Sequence, residues 1–274
     1  MAWDFETDPD YQQQLDWADE FVRTEVEPLD LVWPHEQFVP LDGRRRQAID
    51  PLKTHVRQKG LWATHLGSEL GGQGHGQLKL ALLNEILGRS SWAPVIFGCQ
   101  APDTGNAEII AHFGTDAQKE RYLRPLLEGE IFSSYSMTEP QAGADPARFE
   151  TRATRDGDGW VINGWKYFSS NAATSSFLIV MAVTDPDVTV YKGMSMFLVP
   201  SDTPGIEIVR NVGLYGEPIN GGSHALIHYD NVRVPDADLL GGAGQAFAIA
   251  QTRLGADGSI TRCARSALRR RHST

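Results

Sequence analysis

The sequence predicts an α+β protein: an all-α N-terminal domain, then a middle domain built as an antiparallel β-sandwich or barrel. Three observations predict it. Apolar residues recur at helical spacing from Asp8 to about Glu130. Past Phe132 they gather into short β-branched and aromatic runs separated by turn residues, without intervening helices, which is the grammar of antiparallel sheets. From Gly244 a helical pattern returns for a few turns. The domain boundaries that follow are 1–131 (helical), 132–241 (β-rich) and 242–274 (a short helical start with an odd tail).

In chain order, Leu15, Ala18, Phe21, Val22 and Val26 share one helical face, and Asp8 can cap that helix with Pro9 in its first turn. Ile49, Leu52 and Val56 mark a second helix that Gly60 is placed to end. Leu78–Leu87, with Leu78, Leu80, Ala81, Leu82, Leu83, Ile86 and Leu87, is apolar enough to be buried on most sides. Thr115 and Gln118 have capping-box spacing ahead of Tyr122, Leu123, Leu126 and Leu127, and Gly129 stands where that helix should stop. Phe149–Arg155, the turn Asp156-Gly157-Asp158-Gly159 and Trp160–Trp165 read as a hairpin. Phe177–Thr184, Met194–Val199, Ile206–Val209, Ala225–Tyr229 and Val232–Val234 supply further strands. Phe247, Ile249, Ala250, Arg253 and Leu254 carry the closing helical pattern.

Of the 274 residues 41% are hydrophobic, enough for a sizeable core, and the net charge is −10. An acidic chain is a poor scaffold for nucleic acid, which needs a basic face to neutralise phosphates. Cys99 and Cys263 are too few and too far apart for a disulfide framework. The first residues are acidic where a signal peptide is basic and then apolar, and no apolar run is long enough for a membrane span. The expectation is a soluble, cytoplasmic protein.

Several motifs compete for function. Gly71-Gly72-Gln73-Gly74-His75-Gly76 lies between helices, follows no strand and lacks the Gly-Lys-Ser/Thr ending of a phosphate loop, so it reads as a turn. His224 and His228 share a strand face without a third ligand at metal spacing, and no metal is expected. No Gly-x-Ser-x-Gly elbow is present. The segment Tyr135–Asp145 combines hydroxyls, an acid, a Pro and a Gly at the expected domain junction, where ligand clefts tend to form. On its residues alone it can equally be a connector in which Thr138 and Asp145 cap backbone groups.

An ordered set of elements weighs against the connector. Gly114-Thr115-x-x-Gln118-Lys119, Leu127-x-Gly129-Glu130, Tyr135-x-x-Thr138-Glu139-Pro140, Asn163-Gly164-x-Lys166, Asn231-Val232-Arg233-Val234-Pro235 and Gln251-x-Arg253-Leu254-Gly255 follow one another along nearly the whole chain. In order and spacing this set resembles the acyl-CoA dehydrogenase family, FAD-dependent enzymes that oxidise acyl-CoA thioesters between the α and β carbons and pass the electrons to an electron-transfer flavoprotein. The resemblance implies a flavin wall made by Tyr135–Ala144, in particular Tyr135, Met137, Thr138, Gly143 and Ala144, and by Phe168, Ser169 and Ser170, which stand where many members have Trp-Ile-Thr. Amides near Met137 and the Thr138 hydroxyl would face the ring, Phe168 would lie against it, and Ser170 would keep the hydroxyl of the Thr it replaces. Ala144 stands where many members carry Ser or Thr, so a hydroxyl expected near the flavin pyrophosphate or the acyl-CoA substrate is missing. Ser136 and Arg148 also depart from the commonest signature.

The family's carboxylate base belongs to a C-terminal helical bundle that also builds the oligomer, homomeric or heteromeric. Only Gly244–Leu254 resembles the start of that bundle, so a stub is expected and no catalytic residue is assigned; Glu139 lies in the flavin-binding turn. Past Leu254 the chain reads Gly255-Ala256-Asp257-Gly258-Ser259-Ile260-Thr261-Arg262-Cys263. One back-translation of this stretch, with a single C restored, reads Gly-Ala-Gly-Arg-Ile-His-His-Ser-Leu, the family's continuation. A frameshift near Ala256 is the expectation, with a diverged Arg-rich tail as the other reading. For the chain as given, an acyl-CoA dehydrogenase completed by partner chains stands beside a non-catalytic remnant or interaction subunit, and an acyl-CoA oxidase is the enzymatic alternative.

Overall fold

The computed structural model describes residues 7–34, 36–38, 41–70, 72–213 and 223–254. The expected tail beyond Leu254, with Gly255, and the first glycine of the Gly71–Gly76 turn lie outside the described residues. By internal contacts the chain forms two compact units, one running to Thr104 and one spanning Gly105–Leu254.

The first unit is helical. Helix α1 (Pro9–Phe21) is capped by the Asp8 carboxylate, which accepts the Tyr11 amide at 2.9 Å. Through a π-helical turn, Val22–Val26, it continues into α2 (Glu27–Val32). Leu15, Ala18, Phe21, Val22 and Val26 are all buried, so the helical spacing marks the true inner face. Helix α3 (Gly43–Gln58) stops where Gly60, at φ +70°, lets the Leu61 amide reach back to the Val56 carbonyl at 3.1 Å. This is the left-handed terminus that glycine adopts without steric cost. Helix α4 (Gly76–Leu87) holds to α1 through the Tyr11 hydroxyl, which donates to the Lys79 carbonyl at 2.7 Å. Leu80, Leu83, Ile86 and Leu87 of α4 are buried, but Leu78, in its first turn, is more than half exposed. Burial on most sides thus holds only for the later turns. Helix α5 (Ala93–Ile96) closes this unit's core with buried Trp92 and Phe97.

Helix α6 (Asp103–Phe113) leads into the second unit. Its next helix is α7 (Asp116–Gln118), a π-helical turn (Lys119–Leu123) and α8 (Arg124–Leu127), run together. The capping box is formed in full: the Gln118 amide donates to Thr115 Oγ1 at 3.2 Å, and the Thr115 amide to Gln118 Oε1 at 3.0 Å. Gly129, at φ +70°, ends the helix.

The strands are β1 (Ser133–Ser136), β2 (Arg152–Asp156), β3 (Gly159–Ser170), β4 (Phe177–Val183), β5 (Met194–Pro200), β6 (Ile206–Val212), β7 (His224–Pro235) and β8 (Leu239–Leu240), with a short helix α9 (Val190–Gly193) before β5. They form one sheet in the order β6-β7-β3-β2-β4-β5-β8, with β1 on β4. The predicted α+β class holds, and the sheet is mostly antiparallel. It is mixed because β1 runs parallel to β4, and β2 meets β4 in a single parallel step. The hairpin β2–β3 intervenes between them and reverses the chain. Strands β4 and β5 are buried along nearly their whole length. Leu178 and Val180 enter the sheet's core cluster, while Phe177 meets the Tyr122 ring at 4.6 Å. A strand covered on both faces needs the unbroken apolar run seen in its sequence.

The runs Ala225–Tyr229 and Val232–Val234, read as two strands, are one strand, β7. Asn231 sits within it at φ +53°, and one extra residue is absorbed opposite Ile162–Gly164. The Asn231 amide donates to Asn163 Oδ1 at 2.8 Å. This is a β-bulge, in which a short polar residue tolerates the left-handed conformation.

Candidate functional site

The loop that follows β1 is held from the interior by one cation. Lys166 occupies an inward position of β3 and is wholly buried; its Nζ donates to the Met137 carbonyl at 2.7 Å and to Glu139 Oε1 at 2.8 Å. Glu139, only 1% exposed, also accepts the amides of Glu150 at 2.6 Å and Thr151 at 3.0 Å and the Gln141 amide group at 2.7 Å. Burial alone would raise the Glu139 carboxyl, but the Lys166 charge and these donors hold it below the usual carboxylate range. Burial pulls Lys166 down to about 8, against the opposing pull of Glu139. A carboxylate so fully engaged is an anchor for the turn.

The same loop is stitched to β3 by the Tyr167 amide, which donates to the Thr138 carbonyl at 2.8 Å. Immediately after this bond β3 bulges. The register with β7 shifts between Lys166 and Ser169, and Phe168 takes φ +57°. The residue is 44% exposed, its ring 3.9 Å from the Tyr167 ring and edge-on to His224 at 6.4 Å. A bulky residue in the left-handed region is a genuine outlier, and such strain gathers at ligand sites. Beyond the bulge, Ser170 Oγ lies 2.7 Å from His224 Nδ1.

The expected site residues do not all face one way. Met137 and Thr138 are half-buried beside the bulge, while Gly143, at φ +57°, and Ala144 are exposed at the far end of the turn. Ser169 points inward: its hydroxyl is buried, 2.9 Å from Ser136 Oγ, which in turn lies 2.8 Å from the Tyr229 hydroxyl. The bulge shifts the alternation that sequence parity assumes, and Ser169 is fully buried. Burial pushes the Tyr229 phenol far above its usual range. Tyr135 carries the Arg253 guanidinium 3.9 Å over its ring. Arg253 Nε donates to Asn106 Oδ1 at 2.9 Å and the Asn106 amide to Ser133 Oγ at 2.8 Å, so the helix at 246–254 is tied to the start of β1.

Sequence reasoning did not find the Lys166–Glu139 anchor, the Ser170–His224 pair or a groove of about 440 Å³ lined by Pro140, Gln141, Trp165, Tyr167, Arg210 and Leu226. One signal was available: Lys166 stands at an inward position of a strand, two residues after Gly164 and four after Ile162, where a cation needs a buried partner. Among the described residues no cluster of three His, Cys, Asp or Glu side chains could hold a metal. No described helix is long and apolar enough to cross a membrane.

An exposed aromatic on a bulge, the Ser170 hydroxyl near it, Thr138 bonded to the neighbouring residue and a turn whose peptide groups are fixed from below suit a flat ring with polar edges. The donor set therefore fits an isoalloxazine. The family model described as "Acyl-CoA dehydrogenase, N-terminal domain" matches residues 8–130, and "Acyl-CoA dehydrogenase, middle domain" matches residues 134–232. The Mycobacterium tuberculosis protein named "Probable acyl-CoA dehydrogenase FadE2" is 46% identical over 231 residues, 83% of this chain and 56% of that one. "Acyl-CoA dehydrogenase family member 11" of Gallus gallus is 40% identical over 81% of this chain and 29% of its own length. A solved structure from Mycobacterium abscessus, named as an acyl-CoA dehydrogenase, superposes with a TM-score of 0.85 at 34% identity, covering 96% of this chain and 68% of that one. The chain thus spans about half, or less, of the length of these curated relatives.

Proposed function

The chain belongs to the acyl-CoA dehydrogenase family, and from that premise we propose that it takes part in FAD-dependent α,β-dehydrogenation of an acyl-CoA thioester. In this reading Tyr135–Ala144 and Phe168–Ser170 form one wall of the flavin site. The observation that carries it is the Phe168 bulge, a strained and exposed aromatic hydrogen-bonded through its neighbour Tyr167 to the Thr138 carbonyl.

When bound, the flavin supplies an acceptor for the hydride that leaves the β carbon. The residues present do the rest of the wall's work. Phe168 covers a ring face. The Thr138 hydroxyl and the fixed amides of the turn donate to its polar edge, where preorganised donors stabilise developing negative charge. Ser170, oriented by His224, adds a hydroxyl. Exposed Ala144 offers no hydroxyl to a pyrophosphate or to the acyl-CoA, so that contact falls to backbone or to other groups. Removing the α proton needs a carboxylate across the ring, and no base is assigned among the described residues, Glu139 being consumed as an anchor. An electron-transfer flavoprotein as electron acceptor, a cytoplasmic location and assembly into an oligomer belong to the same reading.

Anaerobic addition of an acyl-CoA to the purified chain tests it. Bound yellow flavin is the expected result, with bleaching on addition where a partner chain supplies the base; a colourless chain that takes up no FAD and stays inert would sink the reading in favour of a non-catalytic subunit.

A further inference from the structure

The Lys166 anchor does more than its geometry as a salt bridge requires. Of its two bonds one goes to Glu139 and the other, at 2.7 Å, to the carbonyl of Met137. That carbonyl belongs to the peptide whose other end is the Thr138 amide. A peptide is planar, and in the trans form its N–H points opposite to its C=O; among the described residues the one cis bond is Ala101–Pro102. Because the Met137 carbonyl points inward to a buried ammonium, the Thr138 N–H points away from it, toward the side on which Phe168 is exposed. A hydrogen bond from a charged donor is about twice as strong as a neutral one, and donation into a carbonyl polarises the amide beyond it, by about 10–30% per bond.

We propose that Lys166 is a positioning residue for the flavin wall, one that aims the Thr138 N–H at the ring's polar edge and strengthens it as a donor by polarising the Met137–Thr138 peptide. This rests on the flavin reading above. Its companion, Glu139, has the separate task of holding the turn, since its carboxylate is also shared among the amides of Glu150 and Thr151 and the Gln141 side chain. With its own charge spread over those donors, it leaves the ammonium as the dominant local field on the Met137 carbonyl. Burial pulls Lys166 down only to about 8, so the cation persists at neutral pH.

The test separates the cation from the salt bridge. Glu139→Gln keeps the ammonium on the Met137 carbonyl and breaks the ion pair. The double variant Glu139→Gln/Lys166→Met removes both and leaves no unpaired buried charge, which favours its folding. Both are made in the full chain and compared at a pH low enough to keep Lys166 charged, since losing Glu139 removes the partner that raises it. The first readout is the Thr138 amide chemical shift without added ligand; the second is the two-electron potential of bound FAD. The Thr138 shift should move upfield in the double variant, beyond the displacement that Glu139→Gln alone causes by loosening the turn. The preference for reduced over oxidised flavin should fall about tenfold in the double variant only, about 30 mV for a two-electron couple. Equal Thr138 shifts in all three folded proteins, or equal displacements in the two variants, would overturn the proposal. If the wild type takes up no FAD, the flavin reading fails, and the amide shift still decides whether Lys166 polarises this peptide.

Discussion

Phe168 stands at φ +57° and is nearly half exposed to solvent. A side chain in that conformation costs on the order of 1–2 kcal/mol, and an exposed ring recovers little of it by packing. Phe168→Gly should therefore leave the melting temperature unchanged or slightly higher while weakening FAD binding severalfold. A clear loss of stability with unaltered FAD affinity would instead make the ring a packing residue. Glu139 gives a second prediction at this scale. Its folded carboxyl lies below the ordinary 4.5, so between the two values the unfolded chain binds a proton that the folded one does not. The stability it contributes is complete above about pH 4.5 and is lost as pH falls through its folded value. Thermal melts of the wild type should steepen in their pH dependence below that point, and Glu139→Gln should remove that part of the slope. Identical acid limbs would contradict the anchor.

Among the elements, the ends of helices were legible because their signals are local. Asp8, Gly60, the Thr115–Gln118 box and Gly129 each act within four residues of their own position. The family signatures turn out to be structural punctuation in large part: Asn163 caps the β7 bulge, and Lys166 anchors the turn. What the sequence could not show is how distant pieces register. Lys166 and Glu139 are 27 residues apart, the bulge at Phe168 inverts the facing of Ser169, and Asn231 joins two predicted strands into one. Two experiments probe elements directly. Gly164, at φ +145°, sits where a Cβ would fall 2.6 Å from the Thr151 Cα, so Gly164→Ala should cost about 2–3 kcal/mol by overpacking, measured by denaturant unfolding. Thr115→Ala should cost about 1 kcal/mol, the ordinary price of a cap. Gln118→Ala should cost more, about 2 kcal/mol, because Gln118 Nε2 also donates to the carbonyls of Ala237 at 2.8 Å and Leu239 at 3.0 Å. Equal losses at Thr115 and Gln118 would show that those long-range bonds add nothing.

At the scale of the molecule, family membership and fold rest on two domain matches in sequence order, 8–130 and 134–232, and on a superposition covering 96% of the chain. The division by contacts falls elsewhere, between Thr104 and Gly105. It groups α7 and α8 with the sheet, because the capping-box helix hydrogen-bonds to the chain at Ala237 and Leu239. The proposed flavin wall lies wholly within that second unit, so the donors proposed for it are positioned by contacts internal to one compact body. The central claim is that this wall binds a flavin through Thr138 and Ser170, and titration of the purified chain with FAD, read in the visible flavin bands, tests it most directly. Thr138→Val/Ser170→Ala should lose at least about tenfold in affinity, about 1.4 kcal/mol, with the melting temperature within a few degrees of wild type. Equal FAD affinity in the wild type and the double variant would contradict the claim.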